Sequence, residues 1–185
     1  MEAAVAPEPL LLIQDFVNTQ DLDEGRDELA TAAKLGAWLR ERGLLDPAQD
    51  LSEEERERAV TVRETIRALL LANNSGEADA APLEALNGCA GERCASFRLR
   101  FERGRAFLEP LGAGADAALG RILSAIGQCV ADGSWPRLKA CADDSCRWAF
   151  IDQSRNRAGH WCSMRVCGNR AKARQFRARR RATSA

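Results

Sequence analysis

The amino-acid sequence predicts an α+β protein in two parts: a mostly helical amino-terminal domain with a small antiparallel β-hairpin, and a small carboxy-terminal module that ends in a helix. Three observations support this prediction. Apolar residues recur at helical spacing in several segments before residue 135. A separate segment in the same part alternates apolar and charged residues with period two. Two cysteine pairs and an arginine-rich tail follow at the end of the chain. We expect a hinge at residues 134–136, dividing the chain into domains 1–135 and 136–185.

The first elements follow a loose leader that we expect over residues 1–9. Residues 10–19 form an apolar run that is too short for its periodicity to distinguish a buried strand from a first helix. Residues 21–25 are polar and predict a loop. Apolar residues at helical spacing then predict a helix over residues 27–42, which Gly43 ends as a carboxy-terminal cap.

A long helix is predicted from a capping box at its start. Ser52 and Glu55 stand three residues apart, the spacing at which each side chain caps the backbone of the other. The helix is expected to end at residues 73–76, and a shorter helix follows over residues 82–87. The apolar stripe of the long helix consists of Ala59, Val62, Ile66 and Leu69.

A hairpin and another helix complete the amino-terminal part. Phe97, Leu99 and Phe101 alternate with charged residues, which predicts a strand with one buried face, and residues 105–109 form the return strand. A further amphipathic helix is predicted to end near residues 132–133. Its apolar stripe consists of Leu119, Ile122, Ile126 and Cys129.

The formal net charge of zero conceals a strong division of charge along the chain. From Pro136 onward there are 13 basic and three acidic residues, a net charge of +10, so the preceding residues carry −10. Such asymmetry favours binding of the basic part to a nucleic acid or another anionic surface.

Four cysteines in the basic part predict a metal site. They form two equally spaced pairs, Cys141-x4-Cys146 and Cys162-x4-Cys167. Thiolates are preferred zinc ligands, and four of them complete a tetrahedral shell without an open position for a catalytic water. We therefore expect one structural Zn²⁺, which stabilises a module too small to depend on its own core.

Other cysteines, and the single histidine, are less informative. Cys89 and Cys94 share the x4 spacing but lack a second pair, so we interpret them as ordinary half-buried cysteines, and Cys129 as a core residue. His160 could replace a cysteine ligand or lie on the basic surface. We expect the aromatic residues between the cysteine pairs to form core, although they could also stack on bases: Trp148, Phe150 and Trp161.

The tail from Asn169 predicts a basic helix. Arg170, Arg174, Arg177 and Arg181 fall on one side and form a ridge of guanidinium groups suited to phosphates and guanine edges. Asn169, Ala173 and Phe176 line another stripe, which could pack Phe176 onto the module. The alternative is a solvated, frayed tail without a specific partner. We predict DNA contacts at Arg165, Arg170, Lys172, Arg174, Arg177, Arg179, Arg180 and Arg181.

Two polar residues interrupt the first apolar run. Asp15 and Asn18 could line a ligand pocket, make buried hydrogen bonds, or tie the two parts of the chain together. A structural role is the interpretation we favour, with ligand binding as the functional hypothesis.

The carboxy-terminal segment resembles the CGNR zinc finger, whose name-giving string stands here at Cys167-Gly-Asn-Arg170. The amino-terminal part resembles the ABATE domain of stress-induced bacterial transcription regulators, through residues 15–19, residues 35–39 and the helix around residues 63–70. One departure is the stretch 158–160, which is less basic than the zinc-finger pattern. The zinc-finger resemblance also includes Cys141, Cys146, Trp148, Phe150, Asp152, Asn156, Trp161, Cys162, Met164 and the basic run from Arg170.

The resemblance implies a zinc-binding, DNA-binding protein with structural roles for its last motif. Gly168 would permit a tight backbone after a ligand, and Asn169 would cap the following helix. Arg170 would be either the first phosphate contact or an internal tie to a carboxylate such as Asp152.

We therefore expect a zinc-stabilised transcription regulator that binds double-stranded DNA, with an acidic domain that senses a small-molecule effector or mediates association, including a homodimer. The alternative is a zinc-stabilised protein-interaction or RNA-binding module whose basic helix docks on an acidic partner or RNA. With one histidine and no phosphate-binding glycine loop or nucleophile motif, we do not expect an enzyme. The absence of a long apolar segment or export signal favours a cytoplasmic protein without a membrane partner.

Overall fold

The computed structural model describes residues 8–75, 80–92, 97–102 and 105–183. Its helices are α1 (Glu8–Val17), α2 (Ala32–Glu41), α3 (Glu53–Ala72), α4 (Ala80–Glu92), α5 (Gly114–Ala131) and α6 (Asn169–Thr183). Three antiparallel pairs are formed by β1 (Gln20–Asp21) with β2 (Arg26–Asp27), β3 (Phe97–Glu102) with β4 (Arg105–Pro110), and β5 (Leu138–Ala140) with β6 (Ala149–Ile151). A 3-10 turn at Trp135–Arg137 precedes β5, and a π-helical turn at Met164–Gly168 leads into α6.

The hydrophobic core lies between α1, α3 and α5, with α2 on its flank and the β5–β6 hairpin at one end. Each helix contributes an apolar stripe at helical spacing, as the sequence predicts for α2, α3 and α5. Buried side chains at the centre include Leu10, Ile13 and Phe16 from α1, Val62, Ile66 and Leu70 from α3, and Leu119 and Ile122 from α5. Among the described helices, none combines the length and apolar character that a membrane crossing requires.

The same core continues into the carboxy-terminal part of the chain. Leu138, Ala140 and Ala149, on the β5–β6 hairpin, are fully buried and belong to the same cluster as the three helices. The domain boundary at residue 135 therefore stays a prediction, and the packing is continuous across it.

Side-chain amides satisfy the backbone of this hairpin where no further strand pairs with it. The Asn18 amide donates to the Ala149 carbonyl at 2.9 Å and accepts from the Ala149 N–H at 2.7 Å. Asn73 donates to the carbonyls of Leu138 and Trp135, at 2.8 and 3.1 Å. The segment predicted as a hinge, residues 134–136, is thus tied to α3. Buried backbone groups need such partners, so these amides fix how the hairpin seats on the helices.

Several sequence predictions are confirmed. For residues 10–19, where the sequence left strand and helix open, the structure has a helix over most of the length, α1. The capping box of α3 is complete: Ser52 Oγ accepts from the Glu55 N–H at 3.2 Å, and Glu55 Oε2 accepts from the Ser52 N–H at 2.8 Å. The β3–β4 hairpin forms, and α5 ends at Ala131 with Asp132 as its carboxy-terminal cap.

The predicted start of the helix over residues 27–42 is wrong. Asp27 belongs to β2, and α2 begins at Ala32, after Thr31 caps it by accepting from the Lys34 N–H at 3.2 Å. The Asp27 carboxylate explains the difference, because it accepts from the Leu29 N–H at 2.8 Å and binds Arg63 of α3. These bonds hold the segment extended where local propensity favoured a helix.

Three further boundaries or faces differ from the predictions. The leader is shorter than residues 1–9, because α1 begins at Glu8, and the short helix at residues 82–87 extends over α4. The predicted buried face of β3 is wrong at Leu99, which is 55% exposed. The end of the hairpin packs on α5, where Pro110 approaches Gly120 so closely that an added Cβ would lie 2.8 Å from the Pro110 Cβ. The Phe101 side chain, and residues 103–104, fall outside the described residues.

A buried arginine links α3 to the β1–β2 hairpin. Arg63 is 1% exposed, and its guanidinium binds both Asp27 carboxylate oxygens, at 2.7 and 3.0 Å. It also donates to Thr19 Oγ1 at 3.1 Å and to Glu64 at 2.8 Å. Although burial alone would raise the pKa of the Asp27 carboxyl, the hydrogen bonds from Arg63 and the Leu29 N–H lower it. The carboxylate thus stays ionised beside its cation.

Replacing Arg63 with methionine tests this link. We expect Arg63→Met to lower the free energy of unfolding by about 3–5 kcal/mol, because it leaves a charged partner without its cation in a largely buried network. Chemical denaturation measures the change. As a control, Arg56→Met on the same helix removes an ion pair to the exposed Glu53, and should cost less than about 1 kcal/mol. Equal losses for the two variants would contradict the prediction.

Candidate metal centre and nucleic-acid interface

Four cysteine thiols converge at one point of the carboxy-terminal module. Cys141 follows β5, Cys146 ends the turn after it, Cys162 precedes the π-helical turn, and Cys167 lies within that turn. Their ligand atoms all lie within 4.8 Å of one another. The Sγ atoms of Cys146 and Cys162 are 3.6 Å apart, and those of Cys162 and Cys167 are 3.8 Å apart.

These distances fit a tetrahedral zinc ion. With Zn–S bonds of about 2.3 Å, the sulfur atoms of a tetrahedral site are about 3.8 Å apart. The pairs are also not disulfides, since all four cysteines are free. The donor set of four thiols is closed and matches a structural site, so it would bind Zn²⁺ through thiolates and hold the loops of the module together.

Without a cation, this cluster disfavours the thiolate form of its cysteines. Burial raises the pKa of Cys146, Cys162 and Cys167, and the neighbouring cysteines raise those of Cys162 and Cys167 further, to about 12 for Cys167. A divalent cation reverses this preference because it binds and stabilises the thiolates. Metal binding and formation of this cluster are therefore coupled.

Backbone hydrogen bonds shape the loops that carry the ligands. The Cys141 N–H donates to the Trp148 carbonyl at 2.9 Å, and the Cys146 N–H donates to the Asp143 carbonyl at 2.9 Å. Trp148 and Trp161 are half-buried and pack against the cysteines, as the predicted core role requires. Phe150 is half-buried on β6.

Two buried acids support the loops around the cysteines. Asp143 accepts from the Ser145 N–H and hydroxyl, at 3.3 and 3.0 Å, and from Arg174 at 3.3 Å. Burial opposes the charge of Asp143, but these hydrogen bonds lower the pKa of its carboxyl. Asp152 pairs with the buried Lys139 at 3.0 Å. Both acids are therefore internal partners and add little negative charge to the module surface.

The remaining histidine and cysteines do not join the cluster in the described part of the chain. His160 packs edge-on against Trp161, with ring centroids 5.8 Å apart, and is not among the clustered ligands. Cys129 is buried in the main core. The side chains of Cys89 and Cys94 fall outside the described residues.

The basic helix α6 begins directly at the metal centre. Ser163 caps the π-helical turn by accepting from the Val166 N–H at 3.4 Å, and Cys167 lies inside the turn. The predicted capping role of Asn169 is wrong, because its amide donates to the Arg165 carbonyl at 3.0 Å instead. An added Cβ at Gly168 would lie 2.7 Å from Met164 Sδ, so glycine permits the tight packing of this turn.

The predicted DNA-contacting residues divide into two groups. Arg170 binds both carboxylate oxygens of Asp23 at 2.9 Å, and Arg174 binds Asp143. Arg170 is thus an internal tie, but its partner is Asp23 and not Asp152, which Lys139 already occupies. The others are exposed: Arg165, Lys172, Arg177, Arg179, Arg180 and Arg181.

The predicted packing of Phe176 onto the module is wrong. Phe176 is 62% exposed, and the Arg180 guanidinium lies 5.9 Å from the centre of its ring. α6 packs mainly on the π-helical turn, and every residue from Lys172 to Arg181 is exposed. The helix therefore projects from the module along most of its length.

The two candidate ligand-binding residues occupy different surroundings. Both polar atoms of the Asn18 amide are used by Ala149, although the residue also borders a cleft between α2 and the β1–β2 hairpin. Asp15 is exposed, lies 3.8 Å from Arg42 and is not among the residues that line that cleft. Ligand binding by either residue stays a prediction.

Several residues in this network escape prediction from sequence. Asp23 stands in a polar loop with nothing local to mark a partner 147 residues away. Arg67 donates to the carbonyls of Val17 and Arg147, at 2.8 and 3.0 Å, and so joins α1, α3 and the metal-binding loops. Lys139 carries the clearest signal, since it is a charged residue between the apolar Leu138 and Ala140 of a buried strand.

Comparison with known families agrees with this geometry. Residues 137–180 match the family model described as "CGNR zinc finger". Residues 11–144 match the ABATE model, described as "Putative stress-induced transcription regulator". The chain belongs to the ABATE family. The two matches overlap at residues 137–144, where β5 joins the main core to the first metal ligand. A search of curated proteins found no match to this sequence.

The family matches and the cysteine cluster together assign one structural zinc to this ABATE protein. Zinc supplies charge and fixed geometry to the thiolates here, and the protein supplies the hydrogen-bonded loops that aim them. What the arrangement achieves is a defined starting point and direction for α6.

Loss of one ligand tests the metal centre. Cys146→Ser should reduce the zinc content, measured by elemental analysis, from about one ion per chain to well below one, because a closed thiolate site needs all four ligands. It should also make the module sensitive to proteolysis. Cys129→Ala is the matched control, since it removes a buried thiol from the main core and should keep the metal. Full zinc retention by Cys146→Ser would contradict the assignment.

Proposed function

We propose that this ABATE protein is a zinc-stabilised transcription regulator that binds double-stranded DNA through α6. The observation that carries the proposal is the exposed run from Lys172 to Arg181, which contains six basic residues and no acid. Guanidinium forks bind phosphate oxygens and guanine edges, and an α-helix fits the major groove. The metal centre anchors one end of this helix and leaves the rest accessible.

The exposed residues supply the main DNA contacts in this proposal. Arg177 and Arg181 stand four residues apart on one side of α6, and neither makes an ion pair with a described residue. Lys172 and Arg165 extend the basic surface toward the metal centre. Arg179 and Arg180 add charge on the remaining faces.

Arg170 links the DNA-binding helix to the amino-terminal domain through an ion pair. Its partner Asp23 lies in the turn between β1 and β2, and a carboxylate competes with a DNA phosphate for the same guanidinium. The pair also favours a second candidate function, in which the basic helix docks on acidic protein surfaces or on RNA. Binding to duplex DNA, measured against structured RNA and acidic peptides, separates the two.

A cleft beside Asp23 is where we place effector binding. Its volume is about 680 Å³, within the size range of small-molecule sites, and Trp38 of α2 and Trp148 of the metal-binding module both border it. Asp21, Gly25 and Arg26 line it from the β1–β2 turn that carries Asp23. A ligand here could alter the Asp23–Arg170 pair.

The wider setting in this proposal follows the family description and the chemistry of the thiols. We propose a stress-related role in a bacterial cell, and a reducing cytoplasm, where thiols remain available to zinc. Catalysis forms no part of the function that we propose. A homodimer would let two such helices read two half-sites, since one small module reads few bases.

Removing two exposed arginines tests the role of α6. Wild-type protein should bind duplex DNA with a log–log salt slope of roughly −4 to −5, corresponding to four to six phosphate contacts. Arg177→Gln/Arg181→Gln should reduce the magnitude of this slope by about 1.8, since each lost contact removes about 0.9. Fluorescence anisotropy at several salt concentrations measures both values.

The matched control is Arg98→Gln/Arg121→Gln, which removes two positive charges from the amino-terminal domain. It should leave the slope unchanged, and both double variants should retain zinc. Absence of binding by zinc-loaded wild-type protein at low salt would refute the proposed function.

Replacing Asp23 tests whether its ion pair with Arg170 limits DNA binding. Asp23→Asn should strengthen DNA binding and steepen the salt slope by about 0.9, because one more guanidinium becomes available to phosphate. Asp50→Asn is the control: it removes an equal charge from an acid that faces Arg40 at 3.4 Å. An unchanged slope for Asp23→Asn would contradict the proposal that Asp23 withholds Arg170 from DNA.

A further inference from the structure

A loop of the metal-binding module, residues 153–159, provides neither zinc ligands nor any part of α6. Residues 153–158 are all exposed. The Arg157 N–H donates to the Ser154 carbonyl at 3.3 Å and closes a turn with Arg155 and Asn156 at its tip. Two arginines are thus presented on a short projecting turn.

Buried polar groups hold the backbone of this loop in place. The Asp152 carboxylate accepts from the N–H groups of Ser154 and Gly159, at 2.9 and 2.8 Å. Lys139, itself buried, donates to the carbonyls of Arg157 and Gly159, at 2.5 and 3.1 Å. The hydrogen bonds from Ser154, Lys139 and Gly159 outweigh the effect of burial and hold the pKa of the Asp152 carboxyl well below its usual range.

These hydrogen bonds also hold an unusual backbone conformation at the last residue of the turn. Arg157 has a φ of 52°, in the left-handed region that non-glycine residues seldom adopt. Such backbone conformations persist only where surrounding contacts enforce them, and they concentrate at functional sites. A loop held this firmly loses little conformational entropy when it binds a partner.

Trp161 connects the loop to α6. Its side chain borders one depression together with Arg155, Asn156 and other residues of the loop, and it also borders the depression beside Lys172 and Arg174 of α6. The loop and the first turns of α6 therefore both lie next to Trp161.

The charge of this surface suits a polyanion. Neither Arg155 nor Arg157 makes an ion pair with a residue in the described part of the chain. The module has three acids, of which Asp143 and Asp152 are buried, while Asp144 pairs with Arg147 and borders neither depression. No acidic residue therefore borders either depression.

We infer that residues 153–159 form a second DNA contact, in which Arg155 and Arg157 bind phosphate oxygens beside the groove that α6 occupies. This inference rests on the proposed DNA-binding function and adds contacts outside α6. Two separated contacts would fix the orientation of the helix on the duplex, which a single projecting helix leaves free.

The test is the salt dependence of duplex DNA binding by the full-length, zinc-loaded Arg155→Gln/Arg157→Asn variant. Asparagine is chosen at position 157 because it tolerates positive φ. We expect the magnitude of the slope to fall by about 1.8, corresponding to two lost phosphate contacts. The control Arg98→Gln/Arg121→Gln carries the same change in charge and should keep the wild-type slope. Zinc content and melting temperature establish that the loop variant is folded.

The outcomes separate this inference from the proposed function. A slope reduced by at least about 1 supports the inference, and a smaller change overturns it. If wild-type protein binds DNA and Arg177→Gln/Arg181→Gln weakens binding while the loop variant does not, the second contact is refuted and the role of α6 stands. If wild-type protein does not bind DNA, the proposed function itself fails. A loss confined to duplex RNA of the same sequence also overturns the inference.

Discussion

The need of four buried, clustered thiols for a cation is the constraint on which the carboxy-terminal part depends. Burial raises the pKa of three of these thiols, and neighbouring cysteines raise those of Cys162 and Cys167 further, so a bound cation and not the protein alone favours the thiolates. Cys167 is both a ligand and a member of the turn that starts α6. The metal therefore sets the direction of the helix as well as the shape of the loops.

The metal-binding module does not pack independently of the amino-terminal domain. β5 carries the first ligand at its end and buries Leu138 and Ala140 in the main core. Arg67 donates to a carbonyl of α1 and to one in the metal-binding loop. Because the same elements serve both parts, a displacement of α1 or α3 would reach the metal-binding loops through direct contacts. This continuity supplies a physical route between the cleft and α6.

Local patterns in the sequence predict elements well and long-range polar partners poorly. The stripes of α3 and α5, the capping box and the four-cysteine site depend on spacing along the chain, and all are present in the structure. The start of α2 was wrong because Arg63, 36 residues away, holds Asp27 extended. The partner of Arg170 was wrong for a similar reason: Lys139 already satisfies Asp152, which leaves Asp23 for the arginine. Spacing carries no information about such competition.

Competition among charges also determines which basic side chains of α6 are available to a partner. Arg170 and Arg174 have internal carboxylate partners, so the helix is partly neutralised where it is anchored and strongly basic where it projects. Like charges four residues apart destabilise an isolated helix, and α6 is only 15 residues long, near the limit of stability in water. Anchoring at the metal centre removes the cost of nucleating the first turn. In the proposed complex, phosphates would relieve the remaining repulsion, so DNA binding and the helicity of the projecting turns would reinforce each other.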